Sequence, residues 1–577
     1  MNQLKPVRLP ASAAHTLPRW GLYALCLLYI LPGLIGRDPW KNDDAISFGV
    51  MWTMAHGGLH DWLWPHVVGL PLADEGPLAY WLGAICIKLF GWLLGEPMAA
   101  RLSAIIFFLI GASSVWHCTY VLGRRSEVQP LKLAFGGQPD ATDFGRMLAD
   151  GALLIYLGCL GLLLHSHEAS PAALQVSLIA FALYASADLF DSRSFGSAAT
   201  LGLALGLSIL TRGWLLPLTL LFSVIILAAL QRRKLMAQLF LMTLPAMLLV
   251  ASVWILGNYF VQPFDGSPVA AWMLADYREL NWPRWSNAKY FMVNGMWFAW
   301  PAWPFAAWAV YAWRKQCRGL HMTIPLFFVA ALSVLVLLNQ NPKDGILLPL
   351  LPPLAILAAF GLPTMKRGAI NAIDWFSVMT LSTCAGFIWL GWIAKQTGWP
   401  AQIAKNAFKL APGFRPEFNF FAFVAAALAT LFWLALVHWR IARRPAVLWR
   451  AVVLSSGGVI LCWLLLMTLW LPWINYGKSY AGVAEQIAQK LPAKQYCVDT
   501  NVGAAQRASF AYFGNVEFAH FDEARCRYLL LQDNPRKKSD ANLLQQYGGQ
   551  WRILWEGRRP SDRDERFRLY RRIDAPD

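Results

Sequence analysis

The stretch FNFFAFVAAALATLFWLALVH at residues 418–438 decides the fold class of this chain, because it contains no Asp, Glu, Lys or Arg. It is followed directly by the basic segment WRIARR at residues 439–444. An apolar run of about 17–25 residues is long enough to cross a hydrocarbon core about 30 Å thick. The stretch therefore predicts a transmembrane helix whose basic end lies in the cytoplasm.

Apolar runs of this kind recur along all 577 residues. The others lie at residues 20–36, 97–121, 148–164, 171–187, 196–211, 213–230, 236–257, 291–312, 322–338, 345–363, 372–394 and 449–471. The composition agrees, with 57% hydrophobic and 14% charged residues, against about 25% charged in a typical soluble domain. The sequence predicts an α-helical polytopic membrane protein with about thirteen transmembrane helices, and excludes an ordinary soluble enzyme.

The positions of the basic residues predict the orientation. The net charge of +17 alone would suit nucleic acid or an anionic surface, but the charges lie mostly in short clusters between the runs. With the N-terminus inside, the following clusters all fall in cytoplasmic loops: Arg124/Arg125, Arg193, Arg232/Arg233/Lys234, Arg314/Lys315/Arg318, Lys366/Arg367 and Arg440/Arg443/Arg444. Counting the apolar run Leu78–Gly95 as a span would invert this bias. It is predicted to lie along the outer interface, within a first external loop at residues 37–97.

Residues 473–577 are richer in charge than the membrane part, residues 1–472, and are predicted to form an external α/β domain. The predicted strands are Tyr496–Thr500, Arg527–Leu531, Arg552–Glu556 and Phe567–Arg571, and the predicted helices are Tyr480–Lys490 and Ala504–Tyr512. Cys497 and Cys526 each lie where a strand begins. A disulfide and two unpaired buried thiols are both compatible with this pattern.

Polar residues suited to chemistry gather in the external segments. The spans carry almost no ionisable residue at mid-depth, which disfavours an ion-coupled transporter. Asp43 and Asp44 follow the first span, and two adjacent carboxylates beside an apolar surface can raise one another's pKa and serve as a general base. Residues Asn42 to Asp44 also open a predicted helix that ends at His56, so an acidic helix cap explains them without catalysis and is the interpretation that the residues alone favour.

Three further groups have two interpretations each. The segment His165–Glu168 contains residue types that bind zinc, but adjacent positions in a short loop seldom converge on one ion, so an interfacial role is favoured. Cations near the outer membrane ends could neutralise a lipid phosphate or simply anchor to headgroups; they include Arg101, Arg212, Arg278 and Lys343. Gly202 and Gly206 form a small-xxx-small pair, which has either a packing or a functional role, and close helix packing is favoured.

Several motifs carry a family resemblance. They are WKNDD (40–44), DWLWPHVVGL (61–70), EGPLAYW (75–81), LFG (89–91), ARLS (100–103), LTRG (210–213) and FAWP (298–301). In order and spacing this set resembles the C-type glycosyltransferase superfamily of 4-amino-4-deoxy-L-arabinose lipid A transferases and protein O-mannosyltransferases. The similarity covers most of the membrane part and is densest over residues 38–104.

The resemblance implies about thirteen spans, interfacial helices in the first external loop and a periplasmic C-terminal domain. It also implies a polyprenyl-phosphate-linked sugar donor that is attacked at the anomeric carbon while polyprenyl phosphate leaves. The central carboxylate of the family maps onto Asp43, with Asp44 beside it, and its Glu-Lys-Pro element maps onto Glu75-Gly76-Pro77. The family lysine that helps to hold the lipid phosphate is therefore Gly76 here, so another cation such as Lys343, Arg212 or Arg278 is expected to supply that contact.

Together these observations predict a glycosyltransferase (a hexosyl- or pentosyltransferase) of the bacterial inner membrane, acting at the periplasmic face on lipid A, another glycan or a protein. The predicted catalytic residues are Asp43 and Asp44, and the predicted substrate-binding residues are Glu75, Arg101, Arg212, Arg278 and Lys343. No metal, cofactor or nucleic acid is expected. No nucleotide is needed at this face, which agrees with the lack of a Gly-rich phosphate loop or Rossmann pattern. The alternative is a non-catalytic polyprenyl-lipid or lipid A binding protein or flippase, which would tolerate loss of both carboxylates.

Overall fold

The computed structural model describes residues 7, 16–72, 75–131, 138–261, 268–339, 344–443, 449–492, 496–519, 526–536 and 538–573. Lys343 and Arg444 therefore lie outside the described residues. The first twelve α-helices are α1 (Arg19–Ile30), α2 (Asp43–His56), α3 (Leu59–Leu63), α4 (Leu78–Leu94), α5 (Glu96–Gly123), α6 (Ala141–Gly158), α7 (Leu160–His165), α8 (Pro171–Ser192), α9 (Phe195–Arg212), α10 (Leu215–Gln231), α11 (Leu235–Gln238) and α12 (Leu244–Val261).

The second half of the chain contains twelve more helices within the described ranges. They are α13 (Pro268–Arg278), α14 (Trp285–Phe298), α15 (Ala302–Trp313), α16 (Leu320–Leu338), α17 (Leu351–Ala359), α18 (Arg367–Thr397), α19 (Ala401–Leu410), α20 (Phe420–Arg443), α21 (Arg450–Leu469), α22 (Leu471–Lys478), α23 (Ala481–Ala488) and α24 (Ala504–Gly514). The strands are β1 (His66–Val67), β2 (Leu70–Pro71), β3 (Val498–Thr500), β4 (Tyr528–Asp533), β5 (Trp551–Gly557) and β6 (Arg566–Arg572).

The chain is a multi-pass membrane protein, as the apolar runs predict. Among the residues that the structure describes, nine helices are long and apolar enough to cross a membrane, and three shorter apolar helices accompany them. The predicted count of thirteen spans is not confirmed. The first predicted span, residues 20–36, is helical only to Ile30, because Pro32 follows and Gly33 and Gly36 adopt φ values of +91° and +68°.

The loops predicted to be cytoplasmic meet at one end of the bundle. The Arg125 guanidinium binds the Asp191 carboxylate at 2.6 Å, and the side-chain amide of Gln238 donates to the Arg193 carbonyl at 2.5 Å. These contacts join the regions at the ends of α5, α8 and α10, where three of the basic clusters lie. That these three regions lie together is compatible with the positive-inside pattern, and the orientation in the membrane stays a prediction.

Gly202 and Gly206 bring α9 close to the segment that contains α12. A Cβ atom at Gly206 would lie 2.9 Å from the Met247 carbonyl oxygen, and one at Gly202 would clash with the Thr243 carbonyl oxygen. The predicted close helix packing at this pair is confirmed. It fixes α9, which ends at Arg212.

The C-terminal strands form one sheet in the order β3-β4-β6-β5, with β3 and β4 parallel and the other pairs antiparallel. Its core includes Phe510 of α24 and Phe567 of β6, which are both buried. All four predicted strands and both predicted helices are present, with shifted ends. Cys497 and Cys526 form a disulfide, because the parallel pairing of β3 and β4 places the residues before each strand side by side. The unpaired-thiol interpretation was wrong.

Candidate functional site

Asp44 lies at the centre of a buried charge network that joins the start of α2 to α5. Its carboxylate accepts hydrogen bonds from Arg37 at 3.1 Å, from Arg101 at 3.0 Å and from the Trp40 backbone N–H at 3.1 Å. The side chains of Arg37, Arg101 and Asp44 are only 0%, 3% and 4% exposed. Burial alone would raise the pKa of Asp44, but the two guanidinium groups and the Trp40 N–H outweigh it and hold that pKa below its ordinary value.

Arg101 fixes the backbone of the same loop. It donates to the carbonyl oxygens of Arg37 and, at 2.7 Å, of Asp38. The sequence placed Arg101 among the cations that bind substrate, and Asp44 among the catalytic residues. In the structure the two side chains bind each other inside the protein, so their geometry suits a structural role in holding residues 37–44.

The segment His165–Glu168 joins this network from the side of α7. Glu168 lies 3.7 Å from Arg37. Burial lowers the pKa of His167 to about 4, so its ring is neutral. Nδ1 lies 2.6 Å from the Leu163 carbonyl oxygen, and Nε2 lies 2.7 Å from the Tyr29 carbonyl oxygen and 3.0 Å from the indole nitrogen of Trp463. Both ring nitrogens are therefore used by the protein, which agrees with the non-ligand interpretation of this segment.

Asp43 is the first residue of α2 and is exposed, in contrast to its neighbour. No hydrogen bond or ion pair reaches its carboxylate from any residue that the structure describes. The preceding residue, Asn42, adopts φ +72° and ψ −136° and makes no side-chain cap to α2. A non-glycine residue in that region of conformational space costs about 1–3 kcal/mol and persists only where the surroundings enforce it. The predicted helix is confirmed, but its Asn42 side chain does not cap it.

Glu75, Tyr80 and Arg212 form a second polar group close to Asp43. The Tyr80 hydroxyl donates to the Glu75 carboxylate, and Arg212 Nε lies 3.8 Å from the other carboxylate oxygen of Glu75. Burial and Glu75 raise the pKa of Tyr80 well above its ordinary value, and both Arg212 and Asp43 are near enough to influence it. The side chain of Arg212 is 32% exposed and that of Glu75 is 25% exposed. This group is therefore open to a ligand.

Gly76 docks directly on the end of α9. Its N–H donates to the Thr211 carbonyl oxygen at 3.1 Å. A Cβ atom at this position would lie 2.6 Å from the Leu210 carbonyl carbon, so no larger residue fits without a backbone shift. The position that carries the family lysine therefore serves here to bring α9 against the Glu75 loop, and the neighbouring residue of α9 is Arg212.

Arg212 also lies beside two external segments. The Asp276 carboxylate of α13 accepts the Leu215 N–H at 2.9 Å and lies against Gly213, whose φ is +96°. Burial raises the pKa of Asp276. This contact anchors the short helix whose last residue is the exposed Arg278. Gly345, just after the undescribed residues 340–343, lies near Arg212, since a Cβ atom added to this glycine would be 3.8 Å from Arg212 Nη1.

One cluster has the residue types of a metal site. His60, Asp61 and His66 place one ligand atom each within 4.8 Å of one another. The Asp61 carboxylate, however, accepts the Gly58 N–H at 2.6 Å and the His66 Nε2–H at 2.8 Å, while His66 Nδ1 accepts the Gly69 N–H at 3.1 Å. A metal on His66 Nε2 would require a hydrogen on Nδ1 and would break the last bond. The cluster is better suited to closing the loop between α3 and β2.

Comparisons with known proteins show what the chain as a whole is similar to. The chain is 26% identical over 392 residues to the undecaprenyl phosphate-α-4-amino-4-deoxy-L-arabinose arabinosyl transferase 2 of Pseudomonas fluorescens, covering 64% of this chain and 60% of that protein. It is 30% identical over 108 residues to the corresponding transferase of Aeromonas hydrophila, covering 18% and 19%. The crystal structure of ArnT from Cupriavidus metallidurans bound to undecaprenyl phosphate superposes with a TM-score of 0.66 at 15% identity, covering 96% of this chain and 98% of ArnT.

This chain has the same fold as ArnT from Cupriavidus metallidurans. The superposition spans the membrane helices and the C-terminal sheet, so the expected fold class is confirmed, and so is the resemblance to the aminoarabinose transferases. The sequence match spans less than two thirds of the Pseudomonas protein. No family model matches the chain.

The structure thus places the site residues predicted from the sequence in separate groups. It joins Glu75 to Arg212 and Tyr80, with Asp43 near enough to influence Tyr80, and places Asp44 and Arg101 in the buried network. Arg278 lies on the neighbouring external helix, and Lys343 lies outside the described residues. Sequence reasoning missed three further residues as members of the site: Arg37, Tyr80 and Asp276. Tyr80 lies in the EGPLAYW motif, which was the only sequence feature that pointed to this residue. No local sequence pattern pointed to Arg37 or Asp276.

Proposed function

We propose that this chain is a glycosyltransferase that transfers a sugar from a polyprenyl-phosphate-linked donor to a membrane-associated acceptor at the outer face of the bacterial inner membrane. The observation that carries the proposal is the contrast between Asp43 and Asp44. Asp44 is fully engaged in a buried network, whereas Asp43 is exposed, with no partner among the described residues, beside the Glu75–Arg212 pair. A free carboxylate next to a cation is the arrangement that activation of an acceptor and release of a phosphate together require.

In this proposal Asp43 accepts the proton of an acceptor hydroxyl as its oxygen attacks the anomeric carbon of the donor. The new bond joins the acceptor oxygen to that carbon, and the bond between the carbon and the phosphate oxygen breaks. Polyprenyl phosphate leaves with the electron pair. An acceptor that is already anionic needs no deprotonation, and Asp43 then orients it.

Arg212 is the cation that we assign to the leaving phosphate. Arg212 is partly exposed and lies beside the Glu75 carboxylate, which also accepts a hydrogen bond from the Tyr80 hydroxyl. The close contact of Gly76 with the end of α9 sets the position of Arg212. A guanidinium group offers two parallel donors to a phosphate, and such charge-assisted bonds are worth about 1.5–3 kcal/mol each. Arg278 is the second candidate cation, because Asp276 anchors its helix beside the Arg212 turn.

The placement of residues 473–577 in the periplasm is part of the proposal. The Cys497–Cys526 disulfide supports it, because disulfides persist in oxidising compartments such as the bacterial periplasm. The relatives support the donor class, since the Pseudomonas and Aeromonas proteins are named as undecaprenyl-phosphate aminoarabinose transferases and the Cupriavidus ArnT was crystallised with undecaprenyl phosphate. Lipid A, another glycan or a protein is the acceptor.

The test uses the purified full-length chain in lipid nanodiscs with a panel of undecaprenyl-phosphate monosaccharides, including the aminoarabinose compound, and with lipid A and membrane extracts as acceptors. Mass spectrometry measures undecaprenyl phosphate and glycosylated product. We expect turnover with at least one donor, and at least a tenfold rise in donor KM for Arg212→Met. Binding of a donor without its consumption would instead identify a lipid-binding protein or flippase and reject the enzyme.

A further inference from the structure

The C-terminal part of the chain makes hydrogen bonds to residues 36–41, the segment that leads into α2 and Asp43. Asn475 of α22 accepts the indole N–H of Trp40 at 2.9 Å and donates to the Gly36 carbonyl oxygen at 2.8 Å. The Lys41 N–H donates to the Lys478 carbonyl oxygen at 3.1 Å. Residues 36–41 are therefore fastened to a helix that lies more than 430 positions later in the sequence.

The side chain of Lys41 makes the outermost of these contacts. Its ammonium group lies 3.2 Å from the Asp562 carboxylate, in the loop between β5 and β6. Asp562 does not swing freely, because Arg559 binds it at 2.7 Å and is itself only 1% exposed. Arg559 in turn donates to the Gly477 carbonyl oxygen at 3.1 Å. The Lys41 ammonium group therefore binds a carboxylate whose position Arg559 fixes.

A second contact holds α2, the helix that begins at Asp43, against the C-terminal domain. Gly49 of α2 faces α24, and a Cβ atom added to Gly49 would lie 3.3 Å from the Ala508 Cα atom and clash with its Cβ. The rings of Phe48 and Tyr512 meet edge to face at 4.9 Å between centroids. The two helices therefore pack with almost no room between them, and α2 cannot slide along the C-terminal domain.

We propose that Lys41 is a positioning residue for Asp43, through which the C-terminal domain sets the geometry of the outer site. The inference rests on the proposed role of Asp43. Asp43 has no side-chain partner of its own among the described residues, so its position is set by the backbone of residues 40–42. Within that segment Asn42 is held in an unfavourable conformation, which relaxes unless both flanking residues are restrained.

Loss of the Lys41 ammonium group is expected to affect the position of Asp43 more strongly than the stability of the folded protein. The Lys41 side chain is 37% exposed, and exposed ion pairs contribute little to folding. A displacement of about 1 Å in a reacting group, by contrast, can cost up to about a hundredfold in rate. Loss of the Lys41 ammonium group is therefore expected to act on turnover and leave the folded protein intact.

The experiment compares Lys41→Met, Lys41→Arg and Arg536→Met in the full chain. Arg536→Met is the matched control, because it removes another exposed ion pair to the β5–β6 loop. This pair joins Arg536, which follows β4, to Asp564 of that loop at 2.8 Å and does not involve residues 36–42. We expect Lys41→Met to lower kcat about tenfold with donor KM and the unfolding temperature unchanged. Lys41→Arg restores the charge and should retain turnover, and Arg536→Met should match the parent.

Hydrogen–deuterium exchange at the amides of residues 43–46 gives a readout that needs no turnover. Lys41→Met should accelerate it by up to about fivefold, the factor that corresponds to an ion pair of up to about 1 kcal/mol, and Arg536→Met should not. Unchanged exchange or unchanged kcat in Lys41→Met overturns the inference. If the parent transfers no sugar at all, the proposed function fails, and the exchange comparison still decides whether Lys41 holds this loop.

Discussion

Replacing either member of the Asp43–Asp44 pair by Asn removes one charge with almost no change in shape, yet the structure predicts opposite consequences. Asp44→Asn leaves two guanidinium groups, 0% and 3% exposed, without their shared counter-charge. Removing one partner of a buried ion pair typically costs about 3–5 kcal/mol. The amide oxygen still accepts one hydrogen bond, so we expect a loss near the lower limit, about 3 kcal/mol. Asp43→Asn should leave stability unchanged, because the side chain is exposed and Asn suits a helix start.

The two variants are compared by thermal unfolding in detergent and by sugar transfer at equal amounts of folded protein. Asp43→Asn should unfold with the parent and lose about 10²–10⁴-fold in rate, as expected when a general base is removed. Asp44→Asn should unfold at a clearly lower temperature, while its folded fraction keeps more activity than Asp43→Asn. An Asp44→Asn protein that unfolds with the parent would refute the assignment of Asp44 to a structural network, and full turnover by Asp43→Asn would refute the catalytic assignment.

Three further predictions concern single groups. The pKa of His167 falls from 6.5 to about 4 on folding, so the neutral ring stabilises the folded protein above pH 6.5. About 3 kcal/mol of the free energy of unfolding should be lost as the pH drops from 6.5 to 4. The unfolding temperature of the parent should therefore fall more steeply with acid than that of His167→Gln. Gly76→Lys, which restores the family residue, should lower the unfolding temperature and donor turnover instead of improving them, because no Cβ fits against Leu210. Cys497 and Cys526 should resist alkylation in the intact protein until a reductant is added, as measured by peptide mass spectrometry, whereas alkylation before reduction would contradict the disulfide.

The secondary structure was largely predictable because its signals are local. A long run without charges predicts a buried helix wherever it lies, and α20 covers most of the apolar stretch at residues 418–438. Alternating strands such as β6 are equally visible within seven residues. The first span was predicted too long, since the effect of Gly33 and Gly36 depends on their φ values, which hydrophobicity does not report.

The sequence by itself determined that this protein is a multi-pass membrane protein and that Asp43 and Asp44 begin a helix, while the outer location of that helix stays a prediction. Only the tertiary structure decided which of the two carboxylates is free. Arg101 reaches Asp44 from 57 positions away, and Gly76 meets α9 across more than 130 positions. Burial and pairing depend on such distant partners, whereas the residue types and spacing around Asp43 and Asp44 are the same whichever one is buried.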